Sequence, residues 1–412
     1  MFFFSLIKRY QLLLWLLSPL VFAWLIKEAW QHKSLTLLRA RLGQSTAIKA
    51  DHWFHCASVG EVNAIAPVLQ ALAQQGQSLL VTTFTPTGLE QAQRRFGQLH
   101  HIQLRLLPLD WRWTMQRFLA SLDCPNLTLV ETEFWPNLIQ LAHQQGRTIR
   151  LINARITHKT LCAPHWWRQL LVELLSQQVS HILCRNDQDE RDFRQLGVNG
   201  EQIQVIGNLK WCDQTPDNLP HLLNRPYVLL ASSHDPEELE LAKRWQATAE
   251  LPTLVMVPRH PKRATDIVKQ FTQAGIAFSQ RSQNHQHTQG ILLADTFGEL
   301  TAWMAHAELV VMGGSFAPKG GQNPLEAIRL AKLVLSGPDM RDFAEEVSQL
   351  APLGALIQVN QFDELIAKIQ HYLAHNELRE TGALAGQVWL AQHQRHILAK
   401  ALTALEQPHA VS

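Results

Sequence analysis

Leu309-Val310-Val311-Met312-Gly313-Gly314-Ser315-Phe316-Ala317-Pro318-Lys319-Gly320-Gly321-Gln322-Asn323-Pro324-Leu325-Glu326-Ala327-Ile328 is the stretch on which the reading of this chain turns. Four apolar residues make a buried strand, the glycines loosen the chain, and a helix is expected with Asn323 as N-cap and Pro324 at the first helical position. That is one strand-loop-helix unit. Backbone N–H groups at such a helix start favour an anion, so the loop reads as a nucleotide-facing turn.

The same grammar repeats outward in both directions. Towards the N-terminus, strands are predicted at residues 52–57, 78–83, 126–131, 148–153, 181–184 and 204–206, with helices at 62–74 and 88–96 among them. After a segment rich in Pro and Asp, strands resume at 227–231, 253–257, 290–293, 309–312 and 333–335. Two such series separated by a linker predict an α/β protein of two doubly wound, Rossmann-like domains facing a cleft, with ligands at the carboxyl ends of strands. The expected division is an anchor at 1–30, an N-terminal domain at 31–212, a linker at 213–226 and a C-terminal domain at 227–412, the last helix being a candidate to pack back on the first domain.

Composition narrows the function. A net charge of +2 over 412 residues gives no field suited to general nucleic-acid binding. Five widely spaced cysteines without a Cys-x-x-Cys pair read as reduced thiols of a cytosolic compartment. Residues 10–26 are uncharged and apolar, flanked by Lys8 and Arg9 on one side and by Lys27, Lys33, Arg39 and Arg41 on the other. A cleavable signal peptide is the competing reading, but the apolar run continues past the candidate cleavage site at Val21-Phe22-Ala23. A monotopic or single-span anchor is expected, with Trp15, Trp24 and Trp30 at headgroup level.

Chemistry is sought just after each strand. Ser58-Val59-Gly60-Glu61 places a carboxylate on the first turn of a helix, where it serves either as a capping-box acid or as a base. The helix N-terminus would lower its pKa, and apolar neighbours such as Trp53 or Phe54 would raise it. Glu131-Thr132-Glu133-Phe134-Trp135-Pro136 sets two acids on one face if the strand continues, with Trp135-Pro136 turning the chain into a helix; the alternative is a solvated strand end with Trp135 in the core. Pro258-Arg259-His260-Pro261-Lys262-Arg263 ends a strand with three cations, either a phosphate fork or an ordinary basic turn. Asp295-Thr296-Phe297-Gly298-Glu299 and Asn323-Pro324-Leu325-Glu326 both also fit a capping box.

The ordered set of these motifs, together with Thr85-Pro86-Thr87-Gly88, Asn153-Ala154-Arg155 and Gly207-Asn208-Leu209-Lys210, resembles the 3-deoxy-D-manno-octulosonic acid (Kdo) transferases of lipopolysaccharide synthesis, glycosyltransferase family 30, over nearly the whole chain. The resemblance implies an inverting GT-B glycosyltransferase at the cytoplasmic face of the inner membrane, moving Kdo from CMP-Kdo to a lipid A precursor, lipid IVA, without a metal or other cofactor. It implies Glu61 as the base, Glu131 and Lys210 as stabilisers of the transition state, and Pro258, Arg259, Phe297, Gly298, Glu299, Asn323, Pro324, Leu325 and Glu326 as the CMP contacts. Arg39 and Arg41 are expected to hold the phosphorylated acceptor beside Glu61. Gln322, Cys56-Ala57 and Phe297 depart from the family's usual residues. The rival readings are a GT-B transferase or epimerase using a UDP-sugar, and a catalytically silent membrane-associated scaffold.

Overall fold

The computed structural model describes residues 5–31, 33–215, 218–283 and 290–407; of the expected linker, residues 216 and 217 lie outside the described residues. The chain divides into one unit of residues 1–213 with 394–412, and a second of residues 214–393.

The first unit is built on a seven-stranded, wholly parallel sheet whose spatial order is Ile102–Leu106, Leu79–Thr83, His52–Cys56, Asn126–Val130, Thr148–Ala154, His181–Cys184 and Ile203–Val205. The chain winds outward from His52–Cys56 in one direction and then from Asn126–Val130 in the other. The strand order therefore reverses between these two, and ligands of doubly wound sheets bind at such a reversal. The second unit has its own seven parallel strands, in the order Phe278–Gln280, Ile291–Leu293, Thr253–Pro258, Tyr227–Ser233, Leu309–Met312, Val334–Ser336 and Leu356–Gln358. Its reversal lies between Tyr227–Ser233 and Leu309–Met312. Central strands such as Leu79–Thr83 and Tyr227–Ser233 are buried at every residue, which is why they read as unbroken apolar runs.

Five strands are absent from the sequence reading: Ile48–Lys49 and Leu122–Asp123, which pair as a small two-stranded sheet, and Ile102–Leu106, Phe278–Gln280 and Leu356–Gln358, which lie at the edges of the large sheets and are only partly buried. An edge strand covers less apolar surface, so polar residues interrupt its pattern. The helix predicted from residue 62 begins at Val59, because Ser58 caps it and its Oγ accepts from the Glu61 N–H. All five cysteines are thiols, Cys162 being the exposed one.

The N-terminal helix, Leu6–Gln31, is long and apolar enough to cross a membrane. Leu16, Leu20, Ile26 and Trp30 are among its exposed apolar residues. It is also tied sideways to the first unit near both ends. Tyr10 donates to Asp110 (2.9 Å), Gln11 to Asn137 (2.7 Å), and Glu28 forms a buried ion pair with Arg41 (2.9 Å). Arg41 is 1% exposed, lies over the rings of Phe84 and Trp24, and donates to the Leu107 carbonyl. The expectation that Arg41 holds an acceptor is therefore corrected: its guanidinium is consumed in clamping this helix.

Candidate functional site

Glu61 follows the strand His52–Cys56 and is only 8% exposed. Its carboxylate folds back over the helix start, Oε2 accepting from Ala57 N–H (2.6 Å) and Oε1 from the Ser58 hydroxyl (2.7 Å). The capping role is thus real, although the backbone donor is Ala57, before the cap. Of the two opposing effects expected, lowering by the helix N-terminus and raising by apolar surroundings, the second prevails: burial, followed by repulsion from Glu133, raises its pKa to about 7 and outweighs the two hydrogen bonds.

Glu131 stands one residue past the neighbouring strand, across the reversal. It adopts a left-handed backbone (φ 61°), which a non-glycine residue holds at a cost of about 1–3 kcal/mol. The strand stops at Val130, so the two-residue alternation expected for Glu131 and Glu133 does not apply. The turn buries Glu131, where Lys210 Nζ (2.7 Å) and Arg155 Nε (3.1 Å) meet its carboxylate. A second left-handed residue, Asn153 (φ 53°), next to last in the strand Thr148–Ala154, accepts from Leu209 N–H (2.9 Å), while Asn208 caps the turn bearing Lys210 (3.1 Å). Asn153-Ala154-Arg155 and Gly207-Asn208-Leu209-Lys210 thereby deliver two cations to one acid.

Glu133 accepts from Trp135 Nε1 (2.7 Å) and lies 4.0 Å from His55 Nε2. Burial raises its pKa, and Glu131 adds to the effect. His55 is fully buried, which pushes its pKa down to about 3 and keeps it neutral. Trp135 is half-buried, packs against His55 and Phe84, and N-caps the helix Pro136–Gln144 as the Trp-Pro pair predicted. His55 and Arg155 have no role in the sequence reading, and Glu133 appears there only as the second of two acids on one face; Arg155 carried a signal nonetheless, directly after a strand.

In the second unit the glycine loop differs from its reading. Glu237 is fully buried and accepts from the N–H groups of Gly314 (2.8 Å), Phe316 (2.9 Å) and His234 (2.9 Å). An internal carboxylate thus occupies donors that had been assigned to a nucleotide. Gly313 is required by close approach, since a Cβ there would lie 2.5 Å from the Ser232 carbonyl oxygen. The helix begins at Leu325, with Pro324 as N-cap and Asn323 Oδ1 accepting from Leu325 N–H (3.1 Å), and it ends at Arg329. Pro324 already has helical backbone angles, so the side-chain cap expected of Asn323 is made by this bond, but the helix is only five residues long. Glu326 is half-buried.

Of the three cations after the strand Thr253–Pro258, Arg263 is bound to the buried Glu238 (2.7 Å). Arg259 is exposed, its backbone N–H fixed on the Ser233 carbonyl (3.1 Å), and among the described residues no acid pairs with its guanidinium. Glu299 is the N-cap residue of Leu300–His306, not its third residue; it pairs with Arg281 (3.2 Å) and accepts from the Thr296 hydroxyl. Gly298 is left-handed (φ 86°), and the turn leaves Phe297 91% exposed. Among the described residues no group of three or more His, Cys, Asp or Glu is arranged to hold a metal ion.

A family model described as 3-deoxy-D-manno-octulosonic-acid transferase (kdotransferase) matches residues 36–212. The chain is 30% identical to the 3-deoxy-D-manno-octulosonic acid transferase of Bordetella pertussis, over 92% of this chain and 94% of that one. It is also 30% identical to the enzyme of that name from Haemophilus influenzae, over 81% of this chain and 82% of the relative. Among solved structures, a glycosyltransferase from Rickettsia africae covers 88% of this chain and 100% of its own with a TM-score of 0.60; at 12% identity, that likeness speaks to the fold alone.

Proposed function

The chain belongs to the 3-deoxy-D-manno-octulosonic acid transferase family of glycosyltransferases, and on that premise we propose that it transfers Kdo from CMP-Kdo to the tetra-acylated lipid A precursor, lipid IVA, with inversion and with Glu61 as general base. The observation that carries the mechanism is Glu61 itself: a buried carboxylate, held by Ala57 and Ser58, whose pKa of about 7 suits proton abstraction near neutrality. In the proposed step an acceptor hydroxyl attacks the anomeric carbon of Kdo and its proton passes to Glu61. The bond from that carbon to the CMP oxygen breaks, and the electron pair leaves with the phosphate.

Charge developing on the leaving phosphate calls for fixed cations. In the second unit Arg259, which pairs with no acid among the described residues, offers a guanidinium fork for it; in the first unit Lys210, half-exposed and oriented by Glu131, is the cation that the resemblance assigns to stabilising the transition state. Pro258 stiffens the turn that carries Arg259. Phe297 offers an exposed ring for a base, while Gly298, Glu299 and the Asn323-to-Glu326 turn complete the reading of the nucleotide seat. No metal is called for in this scheme, because side-chain cations do the neutralising. The exposed apolar residues of Leu6–Gln31 support a position at a membrane surface, proposed as the cytoplasmic face of the inner membrane.

Purified protein is expected to add Kdo mass to the tetra-acylated precursor when given CMP-Kdo, and Glu61→Ala is expected to stay folded without doing so. Absence of any mass gain with the wild-type protein overturns the proposal.

A further inference from the structure

One recess in the first unit is a groove of about 770 Å³ formed by the short helix Leu35–Arg41 and the residues after it, the helix Pro86–Phe96 and the edge strand Ile102–Leu106. Its apolar surface comes from residues such as Leu37, Leu89 and Leu106, and its polar rim from Arg39, Arg105 and Thr46. It adjoins the proposed base through the backbone. Pro86 lines the groove, its neighbour Thr85 donates twice to the Ala57 carbonyl (3.1 and 3.0 Å), and Ala57 N–H holds Glu61.

The cations of this groove are not those that the sequence suggested. Arg41 is sealed against Glu28, whereas Arg39 is exposed at the end of its helix. Arg105, from the edge strand that the sequence reading missed, is oriented by two bonds: Nη1 to the Leu104 carbonyl (2.8 Å) and Nη2 to Thr46 Oγ1 (3.4 Å). A guanidinium carries five N–H groups, so most of this fork remains available. Among the described residues no acid pairs with Arg39 or Arg105, and Glu90 is the one acid lining the groove. Two unpaired guanidinium groups above an apolar surface match an amphiphile with a phosphate monoester better than a neutral sugar.

We propose that this groove binds the phosphate-bearing end of the acylated acceptor, with Arg39 and Arg105 gripping the phosphate while the sugar reaches Glu61. The inference rests on the lipid-acceptor reading above but is tested separately, by binding without donor. Full-length protein in neutral-detergent micelles is titrated with the tetra-acylated precursor and with its dephosphorylated form, following tryptophan fluorescence. The wild type is expected to bind the phosphorylated form at least about tenfold more tightly, the scale of one charge-assisted hydrogen bond. Arg39→Gln with Arg105→Gln is expected to erase that preference without weakening binding of the dephosphorylated form, and Arg105→Lys to restore part of it.

A preference that survives the double substitution overturns the proposal, as does equal weakening for both ligands. Phosphatidylglycerol in the micelles is the control for a bilayer headgroup; if it displaces the precursor from the wild type but not from the double variant, the groove belongs to phospholipid and the proposal fails. Phosphate-dependent binding without transfer of Kdo would uphold this groove and overturn the enzymatic reading.

Discussion

Lys210 Nζ lies 2.7 Å from Glu131 Oε1, joining a cation on the turn Leu209–Cys212 to an acid in a left-handed turn after a different strand. Arg155 takes the other oxygen, so Glu131 keeps one charge partner when Lys210 is removed. Lys210→Met is therefore expected to leave the fold intact, costing about 1–2 kcal/mol because the lysine is half-exposed. Turnover should fall by about 100-fold or more from the lost positive charge. Denaturation and single-turnover rates measured on one preparation separate the two effects.

Glu61 predicts a pH profile. A base must be ionised, so the rate should rise with pH through a limb near 7 and level off above it. Glu61→Gln should lower turnover by about 100- to 10,000-fold and remove that limb. Stability moves the other way. The folded-state pKa of this acid is raised, so its favourable protonated form is lost as pH climbs from the ordinary carboxyl range through about 7. Wild type should consequently lose stability relative to Glu61→Gln across that window, as read by urea melts at pH 5 and pH 8.

Arg259 predicts nucleotide affinity. Its guanidinium is unpaired among the described residues, so Arg259→Ala should leave thermal stability within about 0.5 kcal/mol and weaken CMP binding by about 10- to 100-fold. Calorimetric titration with CMP and with UDP checks both parts. The proposed donor requires CMP to bind more tightly, and tighter UDP binding would favour a UDP-sugar enzyme.

Arg41 predicts a structural defect. Replacing it with Met leaves Glu28, at 8% exposure, without its ion-pair partner, and breaking a buried pair from one side typically costs about 3–5 kcal/mol. Arg41→Met should lower the denaturation midpoint and make the N-terminal helix accessible to protease, whereas Arg39→Gln should do neither.

Much of the fold could be read from residues close in sequence. Glu61, Glu131, Arg259 and Gly298 were located because each follows a buried strand whose apolar run announces it. Helix entry at Ser58 and at Trp135-Pro136 was legible for the same local reason. The cap at Asn323 was legible too, but a capping pattern over four residues does not say how far a helix continues, and here it lasts five. Of the four edge strands of the large sheets, Ile203–Val205 was placed within a residue, while the other three escaped because half-exposure allows polar residues into them.

The two strand-helix series, the strand-end positions of the candidate site and the family to which the chain belongs are all written in residues near one another along the chain. All of these depend on periodicity and on motifs within a few residues. Which charges are free depends instead on contacts made across the fold. Arg41 and Arg263 look as available as Arg105 and Arg259 in the sequence, yet Glu28 and Glu238 neutralise the first two, while the second two remain unpaired among the described residues. The amides of Gly314 and Phe316 likewise look open to a phosphate until Glu237, 77 residues before Gly314, is found accepting from them. Ionisation and pairing depend on burial and on neighbours brought together across the fold, and for that reason the same cause that hides Arg41 also raises Glu61 to a useful pKa.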